Sequence, residues 1–315
     1  MSKPKVIVIG GPTASGKTAL SIFLAKKING EIISADSMQI YKDMNIGTAK
    51  PTVEEMDGIK HYLIDCVSPS VRYSVADFKK DATNAIEDIL KKGKTPIVVG
   101  GTGLYIDSLI YGIDYNEMQV DLEYRAYLEN LAEEKGLEYL YDLAKNIDEQ
   151  AMSEISVNDK KRICRVLEVY KSTGKTKTEL EKESRQKDVK YDFKVFAIDM
   201  ERQILYDRIN KRVDLMIDAG LIDEVNNLIK KYPDMPTAMQ GLGYKEVVQY
   251  FEKKCTKEEM IEKIKQESRR YAKRQLTWFR RNKNIVWLDA KKSLDENTKI
   301  ILEEIRWMYY RKEWL

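Results

Sequence analysis

Short runs of β-branched and apolar residues recur along the chain: KVIVIG (5–10), EIISAD (31–36), HYLID (61–65), TPIVVG (95–100), FKVFAID (193–199) and NIVWLD (284–289). Between them the apolar positions fall at helical spacing, as in SVADFKKDATNAIEDILKKG (74–93), which closes on Gly93 as a C-cap does. This alternation predicts an α/β fold, a parallel sheet wrapped by helices. About ninety residues separate the fourth and fifth runs, and nearly all of that interval is helical in pattern. The pattern predicts an inserted helical lobe at 114–190, with the core assembled from 1–113 and 191–315.

Composition narrows the class. With 315 residues, 43% of them hydrophobic, the chain can bury a full core and is not compositionally disordered. Its longest uncharged stretch, 95–106, has 12 residues, against the roughly 20 needed to span a bilayer. The run VIVIG near the start is too short for an export signal, so a cytoplasmic protein is expected. Cys66, Cys164 and Cys255 are widely spaced and form no C-x-x-C pair, which suits a reducing compartment. A single histidine, His61, excludes HExxH zinc sites and, unless it is itself the base, Ser–His–Asp relays.

Charge is nearly balanced, with 54 Lys and Arg against 51 Asp and Glu, so no global basic field coats the protein. The local distribution differs. Residues 114–155 carry 12 acids and 3 bases, 158–190 carry 11 bases and 6 acids, and 263–283 carry 9 bases and 1 acid. The last stretch is a helical pattern with Met260, Ile264, Tyr271, Leu276 and Phe279 near one stripe. Arg269, Arg270, Lys273, Arg274, Arg280 and Arg281 surround it. Such a helix is either a solvated amphipathic face or a polyanion site.

Three motifs carry chemistry. GPTASGKT, Gly11 to Thr18, follows a predicted strand and opens a predicted helix, the context of a phosphate loop. Its amides would hold a diphosphate or triphosphate, Lys17 would neutralise the outer oxygens, and the Thr18 hydroxyl would ligate Mg²⁺. The guanine-reading N-K-x-D and the switch D-x-x-G of GTPases are both absent. DSMQIY follows the second strand, so Asp36 would face the ligand crevice at the carboxyl end of the sheet. There it either binds Mg²⁺, takes a proton from a nucleophile, or caps the following turn. VGGTGLY follows the fourth strand and offers Thr102 at the same edge. Its paired glycines would let the backbone approach a ligand.

The ordered set GPTASGKT, DSMQIYKDMNIGTAKP (36–51), YSVADF (73–78) and VGGTGLY resembles the N-terminal half of the tRNA dimethylallyltransferase (tRNA isopentenyltransferase) family. NDKKRICRVLEVYKSTGK (158–175), RVDLMIDAGLIDEV (212–225), GLGYKE (241–246) and RRYAKRQLTWFRR (269–281) resemble its C-terminal half. The resemblance implies a P-loop NTPase-like core. It also implies transfer of a dimethylallyl group from dimethylallyl diphosphate to N6 of the adenine 3′ to the tRNA anticodon. Asp36 would be the general base, with Thr102 as partner and Lys17 on the leaving group. Gly11, Pro12, Thr13, Ala14, Ser15, Gly16, Lys17, Thr18 and Arg208 would bind the diphosphate. Asp36, Ser37, Met38, Gln39, Thr102 and Arg125 would contact tRNA, as would Lys160, Lys161, Arg162, Ile163 and Cys164. Gln240, Gly241, Gly243, Tyr244 and Lys245 would join them, with Arg270, Lys273 and Arg274 on the basic helix. Mg²⁺ is the implied cofactor; a monomer is expected.

Two departures fall in the helical half: Glu149 replaces an Asp-Pro, and Arg165-Val166-Leu167-Glu168-Val169 replaces R-A-L-E-V. No Cys/His cluster follows the basic helix, so the zinc finger of eukaryotic relatives is not expected. An isopentenyltransferase of free adenine nucleotides would need neither the helical insertion nor the basic tail. A P-loop metabolite kinase would leave NDKKRICR unexplained. A non-catalytic RNA binder would not need Asp36, Thr102 and Lys17 at one sheet edge.

Overall fold

The Val- and Ile-rich runs become the strands β1 (Lys5–Gly10), β2 (Gly30–Ser34), β3 (His61–Tyr62), β4 (Thr95–Val99), β5 (Asp192–Asp199) and β6 (Val286–Asp289) of one parallel sheet. The computed structural model describes residues 3–113, 121–186 and 188–310. The strand order is β3-β2-β4-β1-β5-β6, with Ile7 in register with Ile97 on one side and Lys194 on the other. Strands covered on both faces need continuous apolar sequence, which explains why β1, β2 and β4 are buried almost throughout. The predicted strand 61–65 is cut to two residues, because Leu63 and Asp65 adopt φ of +58° and +52°, outside the extended region.

The chain divides into two compact units, Met1–Ile106 with Lys190–Leu315, and Asp107–Val189. The first unit also contains α1 (Lys17–Ile28), α2 (Val53–Met56), α3 (Val75–Lys91) and the start of α4 (Gly103–Ile110), of which α1 and α3 pack against the sheet. α3 begins in a capping box between Ser74 and Asp77 and buries Phe78, Ala82, Ala85, Ile86 and Ile89, one face of a 3.6-residue repeat.

The second unit opens within α4, ahead of residue 114, and contains α5 (Leu122–Lys135), α6 (Leu137–Ile147), α7 (Glu149–Met152), α8 (Lys160–Thr173) and α9 (Lys177–Gln186). It has its own core, built on Leu128, Leu140, Ile163 and Leu167. The first unit resumes after it with α10 (Arg202–Asp218), α11 (Leu221–Lys231), α12 (Tyr244–Phe251), α13 (Lys257–Arg280) and α14 (Leu294–Tyr310). α13 buries Met260, Ile264, Ala272, Gln275 and Phe279, while Tyr271 and Leu276 from the expected stripe are only partly covered. No helix among the described residues is long and apolar enough to cross a membrane.

Candidate active site

The phosphate loop lies between β1 and α1. Positive φ angles at Gly11 (137°), Ala14 (62°) and Gly16 (93°) fold it back on itself. Ser15 Oγ and Lys17 Nζ both donate to the carbonyl of Pro12, at 2.8 and 2.6 Å, and so staple the turn. Gly16 caps α1 without a side-chain acceptor, so the first-turn N–H groups of that helix meet the loop's mouth unsatisfied by any cap. Burial is the main force that pulls the Lys17 ammonium down to about 7. Asp36 counteracts it and Arg212 adds to it, so these three charges share one pocket of field.

Arg212 was not foreseen from the sequence. Its guanidinium donates to Thr13 Oγ1 at 3.1 Å, and burial lowers its pKa while Asp36 raises it. Arg208, the arginine expected at the diphosphate, is exposed on α10 one turn earlier. Only the four-residue helical spacing of the arginines in Arg208-Ile209-Asn210-Lys211-Arg212 could have drawn attention to the second one.

Asp36 stands just past the end of β2. Its Oδ1 accepts the N–H groups of Met38 (2.9 Å) and Gln39 (3.3 Å), so it does cap the following turn, and that cap fixes the carboxylate's orientation. Thr102, just past β4, is joined to the same turn. Ser37 N–H donates to its hydroxyl oxygen at 3.1 Å, and the Thr102 amide donates to Ala35 O at 3.3 Å. Tyr271 from α13 completes this side: burial, then the Asp36 charge, pushes its phenol up to about 12, and hydrogen bonding with Thr102 offsets part of that rise.

The glycines of VGGTGLY make room for protein rather than for a ligand. A Cβ on Gly100 would overlap the backbone of Ala35, one on Gly101 the Gln275 side chain, and one on Gly103 the Trp278 ring. Gln275 is the second residue the sequence did not reveal. It is a polar residue on the buried stripe of a helix, and that mismatch was the available signal.

The expected tRNA contacts divide by exposure. Met38 and Gly241 meet, since a Cβ on Gly241 would lie 3.0 Å from Met38 Sδ, so segments 36–39 and 240–245 are brought together. Gln240 and Lys245 are exposed there. Gln39 is engaged internally, its amide donating to Thr48 O (3.1 Å) and Ala49 O (3.2 Å). Tyr244 is fully buried and donates to Glu224 at 2.6 Å, so its ring is packed inside the loop. Gly241 and Gly243 are likewise buried.

In the second unit, Ile163 and Cys164 lie in the core, which removes their side chains from any surface, whereas Lys161 and Arg162 are exposed and Lys160 partly so. Arg125 is committed to Glu168 through two bonds of 2.7 and 2.8 Å. On α13, Lys273 and Arg274 are exposed, and Arg270 pairs with Glu267 at 2.6 Å.

Among the described residues no cluster of three or more His, Cys, Asp or Glu could cage a metal. Oxygen donors at the loop include the exposed Thr18 hydroxyl, and the Asp36 carboxylate is close enough to act on Lys17. Such a sparse oxygen set fits Mg²⁺, which keeps several waters and binds mainly through phosphate oxygens.

The protein-family model described as IPP transferase matches residues 39–282. The chain is 53% identical over 297 residues to the tRNA dimethylallyltransferase of Acetivibrio thermocellus, covering 94% of this chain and 95% of that protein. It is 50% identical over 301 residues to the tRNA dimethylallyltransferase of Carboxydothermus hydrogenoformans, covering 95% and 97%. In structure it is similar to the full-length tRNA isopentenylpyrophosphate transferase of Bacillus halodurans, with TM-score 0.73, 42% identity and coverage of 99% and 98%. It is also similar to a eukaryotic dimethylallyltransferase acting on tRNA, with TM-score 0.76, 34% identity and coverage of 91% and 74%.

Proposed function

Since the chain belongs to the IPP transferase family, we propose that it transfers the dimethylallyl group of dimethylallyl diphosphate to N6 of the adenine 3′ to a tRNA anticodon. The product is N6-dimethylallyladenosine in tRNA, and the enzyme acts as a cytoplasmic monomer. The observation that carries the reading is the convergence of Lys17, Arg212 and Asp36 on one phosphate loop.

The substrate's allylic C–O bond breaks with negative charge gathering on the diphosphate. The α1 first-turn amides and Lys17 receive that charge, and Arg212 adds a planar guanidinium beside them. Bound Mg²⁺, held by the Thr18 hydroxyl and the diphosphate oxygens, would supply further charge neutralisation for the leaving group. The adenine N6 forms the new C–N bond and loses a proton to Asp36, whose Oδ1 is already fixed by two amides, so Oδ2 is the acceptor. Thr102 holds the turn that carries Asp36. The target base must leave its stack to reach this edge, at a cost of a few kcal/mol. The exposed Lys161, Arg162, Lys245, Lys273 and Arg274, with the partly exposed Lys160, serve the tRNA backbone.

A free-nucleotide isopentenyltransferase and a metabolite kinase are disfavoured by tRNA-named relatives that align over nearly the whole chain. The test supplies labelled dimethylallyl diphosphate with unmodified tRNA or with AMP. Label is expected on adenine of tRNA. Label on AMP alone, or ATP consumption in place of prenyl transfer, would replace the reading.

A further inference from the structure

We infer that Gln275 is a positioning residue for the diphosphate: its side-chain amide locks the phosphate loop to the turn after β4 and fixes the cradle's shape before a ligand arrives. The role of the cradle rests on the proposed function; the lock itself does not. Gln275 is only 5% exposed, and the rest of the buried stripe of α13, Met260, Ile264, Ala272 and Phe279, is apolar. A buried amide without partners would destabilise that interface. Here both ends are used. Oε1 accepts the Thr13 N–H at 2.8 Å and Nε2 donates to the Gly101 carbonyl at 2.9 Å. A backbone N–H only donates and a carbonyl only accepts, so the amide has one workable orientation.

Three glycines allow the close approach this needs. A Cβ on Gly10, Gly101 or Gly103 would overlap Phe279, Gln275 or Trp278 of α13. Thr13 is thus held twice, through its N–H by Gln275 and through its hydroxyl by Arg212. The next residue, Ala14, sits at φ +62°, a conformation that non-glycine residues keep only when their surroundings impose it. Holding Thr13 supplies that constraint, and the amides beyond it stay converged for an anion. Loss of the lock therefore weakens diphosphate binding and leaves tRNA binding alone.

The test compares full-length wild type with Gln275→Leu and Gln275→Glu, reading the Kd for inorganic pyrophosphate and the KM values for dimethylallyl diphosphate and tRNA. Thermal unfolding confirms that each variant is folded. Gln275→Leu strands a buried N–H and a carbonyl, so diphosphate Kd and KM should rise roughly 10- to 100-fold with tRNA KM unchanged. Gln275→Glu sets a carboxylate against the Gly101 carbonyl near pH 8, yet its protonated form reproduces both bonds of the amide. Its affinity relative to wild type should therefore recover as pH falls. Taking that ratio cancels the titration of the groups facing the site: Lys17 and Asp36, Arg212 on α10 and Tyr271 on α13.

Folded variants that bind pyrophosphate like wild type, or a ratio flat with pH, would overturn the inference. So would a rise in tRNA KM equal to that in the diphosphate KM. If Gln275→Leu does not fold, the pH series on Gln275→Glu decides. A wild type that binds pyrophosphate but never labels tRNA would sink the proposed function while leaving this lock standing.

Discussion

The Ser37 N–H donates to Thr102 Oγ1 at 3.1 Å, tying the turn after β2 to the turn after β4 one residue away from Asp36. Thr102 in turn donates to Ser37 Oγ at 3.4 Å. Replacing Thr102 by Val keeps the shape and strands the Ser37 N–H, so the turn carrying the carboxylate shifts. Misplacement of about 1 Å can cost roughly 10²-fold in rate. Thr102→Val should lower kcat by roughly 10- to 100-fold with the pyrophosphate Kd unchanged, and Thr102→Ser should restore it. Equal kcat in Val and Ser variants would remove the hydroxyl from the account.

Lys17 gives a pH signature. Burial holds its amine down to about 7 in the folded protein, so near pH 8 most of it is neutral. A bound diphosphate stabilises the ammonium and raises that pKa, so binding takes up a proton. Calorimetry of pyrophosphate binding at pH 8, in buffers of different ionisation enthalpy, should show more protons taken up per pyrophosphate by wild type than by Lys17→Met, the ligand's own ionisation being common to both. The sign for stability is also fixed. Between about 7 and the ordinary 10.5 the unfolded chain binds the extra proton, so this group's contribution to stability rises with pH across that window. Lys17→Met should accordingly be at least as stable as wild type at pH 6, with the advantage fading by pH 10.

The two arginines of α10 can be separated. Arg212 reaches Thr13, whereas Arg208 is exposed. Arg212→Lys loses the planar fork and should raise the KM for dimethylallyl diphosphate roughly 10- to 100-fold, by the worth of a charge-assisted bond. Arg208→Lys should change it less than about twofold. Reversed effects would return the role to Arg208.

Arg125 is expected to act through stability. Its guanidinium makes both bonds to Glu168, whose side chain is 6% exposed while that of Arg125 is 36% exposed. Removing it leaves a buried carboxylate with the longer Arg165 contact at 3.4 Å. Because one partner is partly solvated, Arg125→Ala should destabilise this unit by about 1–3 kcal/mol, below the range for a fully buried pair. Hydrogen exchange should quicken in residues 121–186 and stay unchanged in 3–106. Weakened tRNA binding with exchange unaltered would favour a direct contact instead.

Local features were legible in the sequence, and long-range ones were not. The phosphate loop, the strands and α3 with its cap are set by neighbouring residues, so periodicity and turn chemistry reveal them. Arg212 meets Thr13 across 199 positions and Gln275 meets it across 262, and no spacing along the chain encodes such contacts. Motif resemblance brought Ile163, Cys164 and Tyr244 into the tRNA set, but a motif does not show which of its side chains face solvent, and these three are buried. The paired glycines show the same limit: a missing Cβ leaves space for something, and here α13 fills it.

The most direct measurement is the single-turnover rate of Asp36→Ala with saturating dimethylallyl diphosphate and tRNA. If Asp36 takes the proton from N6, that rate falls roughly 10²- to 10⁴-fold while the affinities for pyrophosphate and tRNA remain near those of wild type. A rate equal to wild type would contradict the assignment of the base and, with it, the catalytic reading of this sheet edge.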